Sequence, residues 1–353
     1  MALFNKKNSG APGPAPAGAQ GDVVLSTRVR LARNLAEFPF PAKLDAAGKK
    51  KVCEAAREAA GELRDFQAFH WIDMESLPRI KAVALAERRL ISEEFAAQAP
   101  GTALLLRGDN RVSVMLCEED HLRPQAFSPG LALEETYALA SELDAALGRR
   151  LRYAFDDRLG YLTQCPTNLG TAMRASVLLH LPALAALGRV GSLGESISKL
   201  GLTIRGAFGE GSEAQGALFQ LSNQVTLGIT ESQALENLQA ITLQIADQER
   251  RAQAELLRRP EWENKIWRAY GILRYARFLE SGEAVQLLSY ARMGAARGVL
   301  PVALETVTAL MTDIQPATLT LARGVSDAEQ RDTARAELIR ESLEGPHEPK
   351  NKV

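Results

Sequence analysis

The chain has 353 residues, of which 46% are hydrophobic and 24% are charged, enough to bury the core of one large domain or two ordinary ones. Its 42 basic and 43 acidic residues leave a net charge of −1, which argues against a general nucleic-acid binder or a membrane-surface protein. Three scattered cysteines exclude a disulfide framework and disfavour a zinc site. The N-terminus has no apolar run typical of a secretory signal, so we expect a cytoplasmic location.

In chain order, the first 21 residues are rich in Ala, Pro and Gly and are predicted to form a disordered tail. The stretch after them opens with a short β-branched run and becomes Arg-rich. The later patterns predict a helix at 43–69, a hairpin at 102–117, a helix at 131–148, two short strands at 153–165, a helix at 171–187, two strands around a glycine-rich loop at 201–227, and helices from 231 to 345.

Hairpins interspersed with helices, without a βαβ rhythm, favour an α+β fold with a mostly antiparallel sheet flanked by helices. The helical stretch that follows predicts an all-α C-terminal domain. The predicted boundaries are 22–253 for the first domain and 254–345 for the second, with a frayed tail at 346–353.

The basic residues are 31 Arg and 11 Lys, and Arg suits phosphate and carboxylate groups. Arg28 and Arg30 lie two residues apart in the string Ser26–Arg30, so on an extended strand they point the same way. Two such forks can hold a polyphosphate. The alternative is an exposed edge strand carrying charges that block aggregation.

Two further strings combine reactive side chains with turn residues. Cys117–Arg123 places Glu118, Glu119 and Asp120 directly after an apolar strand, either as a solvated turn or with one carboxylate turned inward as a base. Cys165–Arg174 places a cysteine beside the predicted helix at 171–187. A helix N-terminus lowers the pKa of a thiol, although a lone cysteine is often a small buried apolar residue.

The last two strings are a glycine-rich loop and a helical motif. Arg205–Ala214 holds three glycines in six residues, which allow a loop to close on a ligand and present Glu210, although a hairpin loop without function is an equal alternative. It lacks the spacing of a P-loop. In Arg331–Ala336, Asp332 and Arg335 sit three residues apart, as in a simple surface ion pair.

Together, the strings LSTRVRLAR, EEDHLR, CPTNLGTAMR and RGAFGEGSEA resemble the phosphagen (guanidino) kinase family, in the family's order. Within it, the chain is similar to the bacterial protein-arginine kinases. Small-metabolite kinases carry a helical domain ahead of the catalytic domain, whereas here a helical domain follows it. The loop GEGSEA and the intact string RDTARA point the same way. The fold implied is the glutamine-synthetase-like guanidino kinase domain, and the activity implied is ATP-dependent phosphorylation of arginine residues in proteins.

The resemblance also implies roles for individual residues. Glu119 and Glu210 would grip and deprotonate the guanidinium, and Cys165 would lie beside the reacting nitrogen. Asp332 and Arg335, with Arg331 and Ala336, would bind phosphoarginine at an allosteric site. The residues implied to bind Mg²⁺-ATP are Ser26, Thr27, Arg28, Val29, Arg30, Arg89, Arg123, Arg174, Ala175, Ser176, Val177, Leu178, Arg205, Gly206, Ala207, Phe208, Gly209 and Glu210.

The chain departs from the family pattern at two positions: Cys117 stands where Asn is usual, and Arg89 where the protein-kinase branch often has His. Resemblance further implies a homodimer, a zinc-binding activator protein and a Clp-type protease as partners. Two alternatives stay open: a kinase for free arginine or another small guanidino compound, and a non-catalytic adaptor that reads phosphoarginine.

Overall fold

The computed structural model describes residues 17–97, 99–207 and 215–344. The predicted tail therefore lies outside the described residues up to residue 16, as do the C-terminal tail and the centre of the glycine-rich loop. Residues 19–21, predicted to belong to the disordered tail, instead form a turn together with Asp22 and Val23. In that turn the Gln20 carbonyl accepts from the amides of Val23 and Val24 at 3.0 and 2.8 Å.

Eight antiparallel strands form one sheet in the order β2-β3-β4-β5-β1-β8-β10-β9, and two short strands, β6 and β7, form a separate hairpin. This topology confirms the predicted α+β class. The strands are β1 (Val24–Leu31), β2 (Phe69–Asp73), β3 (Ala103–Arg107), β4 (Val112–Leu116), β5 (Leu122–Pro129), β6 (Phe155–Asp156), β7 (Gly160–Tyr161), β8 (Met173–His180), β9 (Leu202–Gly206) and β10 (Leu218–Asn223).

The predicted helix at 171–187 is wrong in its first half, because β8 occupies Met173–His180 and helix begins only at Pro182. Met, Ala and Leu favour helix locally. The segment nevertheless alternates: Ala175 and Val177 face the core, while Ser176 pairs across from Arg28 on the other face. Central position between two strands therefore overrides local propensity.

Eleven helices of four or more residues pack against the sheet or follow it within the described ranges. They are α1 (Ala46–Ala60), α2 (Arg79–Glu87), α3 (Leu133–Gly148), α4 (Pro182–Ala186), α5 (Val190–Ser198), α6 (Glu231–Leu256), α7 (Pro260–Tyr275), α8 (Ser281–Ala296), α9 (Leu304–Asp313), α10 (Pro316–Arg323) and α11 (Ala328–Glu344).

Two main cores result. Helices α1, α3 and α6 bury their apolar stripes against one sheet face, where β1 contributes Val29 and β8 contributes Val177. Helices α7 to α11 form a second core with one another. The predicted domain boundary between residues 253 and 254 falls within α6, which packs on the sheet along its length and ends at Leu256.

A buried arginine joins the two parts. Arg292 of α8 donates to the carbonyls of Gly21 and Asp22 at 2.6 and 2.9 Å, to Thr308 at 3.0 Å, and lies 3.0 Å from Nδ1 of His180. The guanidinium is buried and all of these partners are neutral, so losing any of them would leave part of a buried charged group without a hydrogen bond. The contact therefore favours the packing of the helical part against β1 and β8.

Candidate active site

The sheet face that is free of α1, α3 and α6 carries a group of arginines. Arg28 and Arg30 project from β1, Arg123 from β5 and Arg174 from β8. Register places Arg30 directly opposite Arg174 on one neighbouring strand and opposite Gln125 on the other. Like charges directly opposite in a sheet repel, so this face is arranged for a bound anion.

We call this group, Arg28, Arg30, Arg123 and Arg174, the arginine cage. Several of its hydrogen-bond donors have no acceptor, and its positive charges lie close together. Burial, together with Arg123 and Arg174, lowers the pKa of Arg30 to about 9. Burial and the neighbouring arginines also lower the pKa values of Arg28 and Arg174. The Nε atoms of Arg30, Arg123 and Arg174 are buried without a hydrogen-bond acceptor. A polyphosphate offers the negative charge and the acceptors that these groups lack.

A first cavity, of about 390 Å³, lies between the cage and the helical part. Ser26, Arg28, Ser176 and Leu178 line one side of it, and Arg89 lines another. Arg89 donates to Gln220 at 2.7 Å, and burial lowers its pKa to about 10. The mixed polar and apolar lining suits a nucleoside next to its phosphates.

A second cavity, of about 150 Å³, brings together three guanidinium groups, a carboxylate and a thiol. Its lining includes Arg30, Arg123, Arg174, Glu119 and Cys165. These residues come from three separate strings of the sequence, and the fold brings the cage, the acidic turn and the cysteine together.

The two neighbouring glutamates have different environments. Although burial alone would raise the pKa of Glu118, its ion pair with Arg123 and a hydrogen bond from Ser92 lower it. Glu119 touches Arg123 only at 3.5 Å, and burial raises its pKa. Glu118 therefore fixes Arg123, which keeps a raised pKa against the effect of its burial. Glu119 is left as the carboxylate with the higher affinity for a proton.

A buried network holds the acidic turn in place. Asp120 accepts from Asn34 at 2.6 Å and from the amide of Gln164 at 2.8 Å, which ties the turn to the segment that leads into Cys165. Asn34 accepts from the amide of His121 at 2.9 Å. Nδ1 of His121 accepts from the Leu35 amide, so its Nε2 donates to the Pro39 carbonyl. Burial lowers the pKa of His121, in keeping with this neutral state.

Cys165 precedes a single turn of 3-10 helix, Pro166–Asn168, and its sulfur lies 3.0 Å from the Thr167 hydroxyl. The α-helix expected after it is strand β8, so the proposed effect of a long helix on the thiol is wrong. The thiol is half-buried and lines the cavity beside Glu119. Any role of this thiol therefore depends on its position beside Glu119 in the cavity, and not on the N-terminus of an α-helix.

The predicted glycine-rich segment begins at the edge of the sheet. Arg205 of β9 and Arg174 line a third cavity of about 570 Å³. Gly206 ends the strand, and the Ala207 amide donates to the Leu218 carbonyl at 3.0 Å. Phe208, Gly209 and Glu210 lie outside the described residues, so the second predicted carboxylate stays a prediction.

Comparison with known proteins identifies the family. Residues 51–252 match the model for the ATP:guanido phosphotransferase C-terminal catalytic domain, and residues 259–353 match the protein-arginine kinase McsB C-terminal domain. The chain is 44% identical to the protein-arginine kinase of Syntrophomonas wolfei over 92% of this chain and 93% of that one. It is 43% identical to that of Brevibacillus brevis, over 92% and 93%. This chain belongs to the protein-arginine kinase family.

Solved structures of other guanidino kinases share the fold. The duplicated taurocyamine kinase of Schistosoma mansoni, which contains transition-state analogue components, aligns with a TM-score of 0.59 at 28% identity. The alignment covers 65% of this chain and 33% of that duplicated chain. Lombricine kinase aligns with the same TM-score at 21% identity, over 66% of this chain and 68% of that chain, a likeness of fold.

The strands separate the predicted nucleotide-binding residues of this kinase into two groups. Thr27 and Val29 of β1 and Ala175 and Val177 of β8 face the core, so their side chains do not line the three cavities. The Thr27 hydroxyl donates to the Gly130 carbonyl at 2.7 Å. The side chains that reach the cavities are the alternate ones on the same strands.

The predicted phosphoarginine site lies on α11. Arg335 is buried and donates to the carbonyls of Leu279 at 2.7 Å and Ile314 at 3.2 Å, and it pairs with Asp332. Arg331 is half-buried and donates to the Ser326 carbonyl at 3.2 Å. Ala336 is buried. The polar groups that solvent reaches at this site are therefore those of Arg331 and Asp332.

Sequence reasoning missed three residues of the site. Gln220 accepts from both Arg28 and Arg89, while Glu118 pairs with Arg123 and accepts a hydrogen bond from the Ser92 hydroxyl. Gln220 has no motif signal, because only its register opposite Leu178 places it on the cage face. The sequence did indicate that one carboxylate of the Glu118–Glu119 pair points into the site. The spacing alone does not show which of the two is already paired with Arg123.

Both departures from the family pattern sit in left-handed backbone, with φ of +59° at Cys117 and +63° at Arg89. Asn tolerates this conformation better than most residues, which explains its usual place where Cys117 stands. A hydrogen bond with Cys53 and burial raise the pKa of the Cys117 thiol, which disfavours the reactive thiolate form.

Within residues 17–97, 99–207 and 215–344, no helix is long and apolar enough to cross a membrane. The same ranges contain no group of three or more His, Cys, Asp or Glu side chains positioned to hold a metal ion.

Proposed function

We propose that this protein transfers the γ-phosphoryl group of ATP to the guanidine of arginine residues in other proteins. One observation carries the proposal: a single cavity is lined by Arg30, Arg123, Arg174, Glu119 and Cys165. Phosphoryl transfer needs charge neutralisation and positioning more than covalent help from the protein, and this lining supplies both. The names of the similar proteins support the choice of a protein acceptor.

The arginine cage would hold the triphosphate, with the nucleoside in the 390 Å³ cavity. The unpartnered Nε atoms of Arg30, Arg123 and Arg174 fit phosphate oxygens as acceptors. Arg205, at the edge of the sheet, would complete the cage. Mg²⁺ would arrive on the ATP phosphates and supply further charge neutralisation there.

The acceptor guanidinium has to lose a proton as one of its nitrogens attacks, because it is protonated at neutral pH and the protonated form is a poor nucleophile. Glu119 would take that proton as the new P–N bond forms and the bond from the γ-phosphorus to the bridging oxygen breaks, releasing ADP. Glu210 would align the guanidine from the other side. Cys165 would orient the guanidine and polarise it, without forming a covalent intermediate.

The direct test is phosphorylation of an unfolded arginine-rich protein in Mg²⁺-ATP, with mass spectrometry that preserves acid-labile phosphoarginine. Free arginine is offered in parallel. We expect phosphoarginine on the protein, and Glu119→Gln should lower kcat at least about 10²-fold. The matched control is Glu142→Gln, an exposed glutamate on α3, which should leave kcat unchanged.

Two outcomes would refute the proposal. Phosphate on free arginine alone would indicate a small-molecule kinase. Absent ATP turnover with intact phosphoarginine binding would indicate a reader of phosphoarginine. Wild-type kcat in Glu119→Gln would instead remove Glu119 from the role of base while leaving the activity in place.

The remaining roles are also proposals. Arg331 would bind the phosphate of phosphoarginine and Asp332 its guanidine, while Arg335 holds Asp332 from below. A homodimer, a zinc-binding activator protein, a Clp-type protease and a cytoplasmic location are predictions from family resemblance. Size-exclusion chromatography with light scattering tests the first of them.

A further inference from the structure

Helix α10 begins without a cap from its own neighbours. Gln315 at the N-cap makes no side-chain hydrogen bond to the first turn. The amides of Ala317 and Thr318 donate instead to the two carboxylate oxygens of Glu87, at 2.8 and 2.7 Å, and the Thr318 hydroxyl donates to one of them at 2.8 Å. A carboxylate from α2, far away in sequence, therefore satisfies the open amides and the positive end of α10.

Glu87 is also the last residue of α2, immediately before a turn that forms one wall of the 390 Å³ cavity. Arg88, Arg89 and Leu90 all line that cavity. Arg89 has a φ of +63°, and such a conformation in a non-glycine residue persists only where the surroundings hold it. The position of Glu87 determines where this turn starts.

The opposite wall of the same cavity comes from the helical part. Thr308 and Thr312 of α9 line the cavity, and α9 is followed after two residues by α10. The carboxylate of Glu87 thus connects the turn on one wall directly to the segment that carries the other wall. Loss of this connection would let the two walls separate.

We infer that Glu87 is a positioning residue for nucleotide binding: it fastens α9 and α10 against the turn Arg88–Leu90 and so fixes the width of the nucleotide cavity. The inference rests on the proposed function, in that the cavity is taken to hold the nucleoside of ATP. It assigns the helical part a share in binding ATP, in addition to its predicted phosphoarginine site.

The test is binding of a non-hydrolysable Mg²⁺-ATP analogue to the full-length Glu87→Gln variant, measured by isothermal titration calorimetry. Gln keeps the shape but offers only one acceptor to the two amides. We expect Kd for the analogue to rise at least about fivefold, the lower end of ordinary coupling between sites. The KM for ATP should rise in parallel, whereas kcat at saturating ATP and KM for the protein substrate stay unchanged.

The matched control is Asp313→Asn. It breaks the 3.5 Å ion pair between Arg88 and Asp313, which joins the same two segments but is about a third exposed at each side chain. Exposed pairs contribute little, so Kd should change less than about twofold. A milder variant, Thr318→Val, removes one hydrogen bond to Glu87 and should raise Kd by a smaller factor than Glu87→Gln does. The Thr318→Val variant serves as the test if Glu87→Gln does not fold.

The outcomes separate the two proposals. Wild-type affinity in a folded Glu87→Gln variant, or a fall in kcat at unchanged Kd, overturns the positioning role. If Glu87→Gln does not fold, wild-type affinity in Thr318→Val overturns it. A wild-type protein that binds no ATP analogue would instead overturn the proposed function itself.

Discussion

Replacing Arg30 with methionine should stabilise the nucleotide-free protein while destroying its affinity for ATP. Arg30 lies directly opposite Arg174 in the sheet, and Arg123 is the next arginine on the other side. Burial and these neighbours lower its pKa from the ordinary arginine value to about 9, which means that the folded protein without ligand disfavours the charge. Methionine keeps the unbranched stem and removes the charge.

The expected size follows from that pKa. The fall in the pKa of Arg30 from the ordinary arginine value to about 9 corresponds to a free-energy penalty of at most about 5 kcal/mol, at about 1.36 kcal/mol per pH unit. Solvent screening of a half-buried group and lost packing of the guanidinium reduce this value, so we expect Arg30→Met to raise the free energy of unfolding by about 1 kcal/mol at pH 7.

The sign of the pH dependence is opposite to that of a stabilising ion pair. The penalty from charged Arg30 is fully present below about pH 9 and declines as the pH rises further towards the ordinary pKa of arginine, because the folded protein then already has the neutral form. The gain in stability from Arg30→Met should therefore be smaller at pH 10 than at pH 7.

Urea unfolding of the nucleotide-free proteins at both pH values measures this difference, and calorimetry with an ATP analogue measures binding. Arg149→Met, at an exposed position outside the cage, is the control and should change the unfolding free energy by less than about 0.5 kcal/mol. A variant that is less stable than wild type at pH 7, or that binds the analogue with wild-type affinity, would refute the reasoning about the cage.

Three further predictions concern other parts of the protein. In the pH profile of kcat/KM, the acid limb should have its midpoint above about pH 4.3, the ordinary pKa of glutamate, because Glu119 must be deprotonated and burial raises its pKa. Glu119→Gln should abolish that limb, and an unchanged limb would assign it to another group. Asp332→Ala should blunt stimulation by added phosphoarginine and spare basal phosphorylation of a protein substrate, so equal stimulation in both proteins would contradict the proposed site. Arg292→Met should lower the free energy of unfolding by about 1–3 kcal/mol, since it leaves the Gly21 and Asp22 carbonyls without their donor; chemical denaturation that shows no loss would contradict the proposed role of this contact.

The alternation of side chains along β1 was available from the sequence. Arg28 and Arg30, two residues apart, share a face as predicted because successive side chains in a strand point to opposite sides. The order of hairpins and helices also gave the α+β class correctly. Resemblance, carried by four strings in order, gave the family, which the comparisons confirmed.

Local propensity failed at β8. Its residues favour helix in isolation, and only the hydrogen bonds and packing offered by β1 and β10 make it a strand. The same error led to the wrong helix beside Cys165. Periodicity over eight residues cannot decide between the two structures when the segment is buried on both sides.

The sequence by itself determined which chemical groups are present and in which order they occur: guanidinium groups that suit an anion, carboxylates that suit a proton, and a thiol. Only tertiary structure decided which of two adjacent glutamates is already neutralised by Arg123, that Gln220 joins the cage, and that Glu87 caps a helix of the C-terminal helical part. These decisions depend on register and on contacts between residues far apart in the chain. The energy of a charge is set by its neighbours in space, and those become known only when the chain has folded.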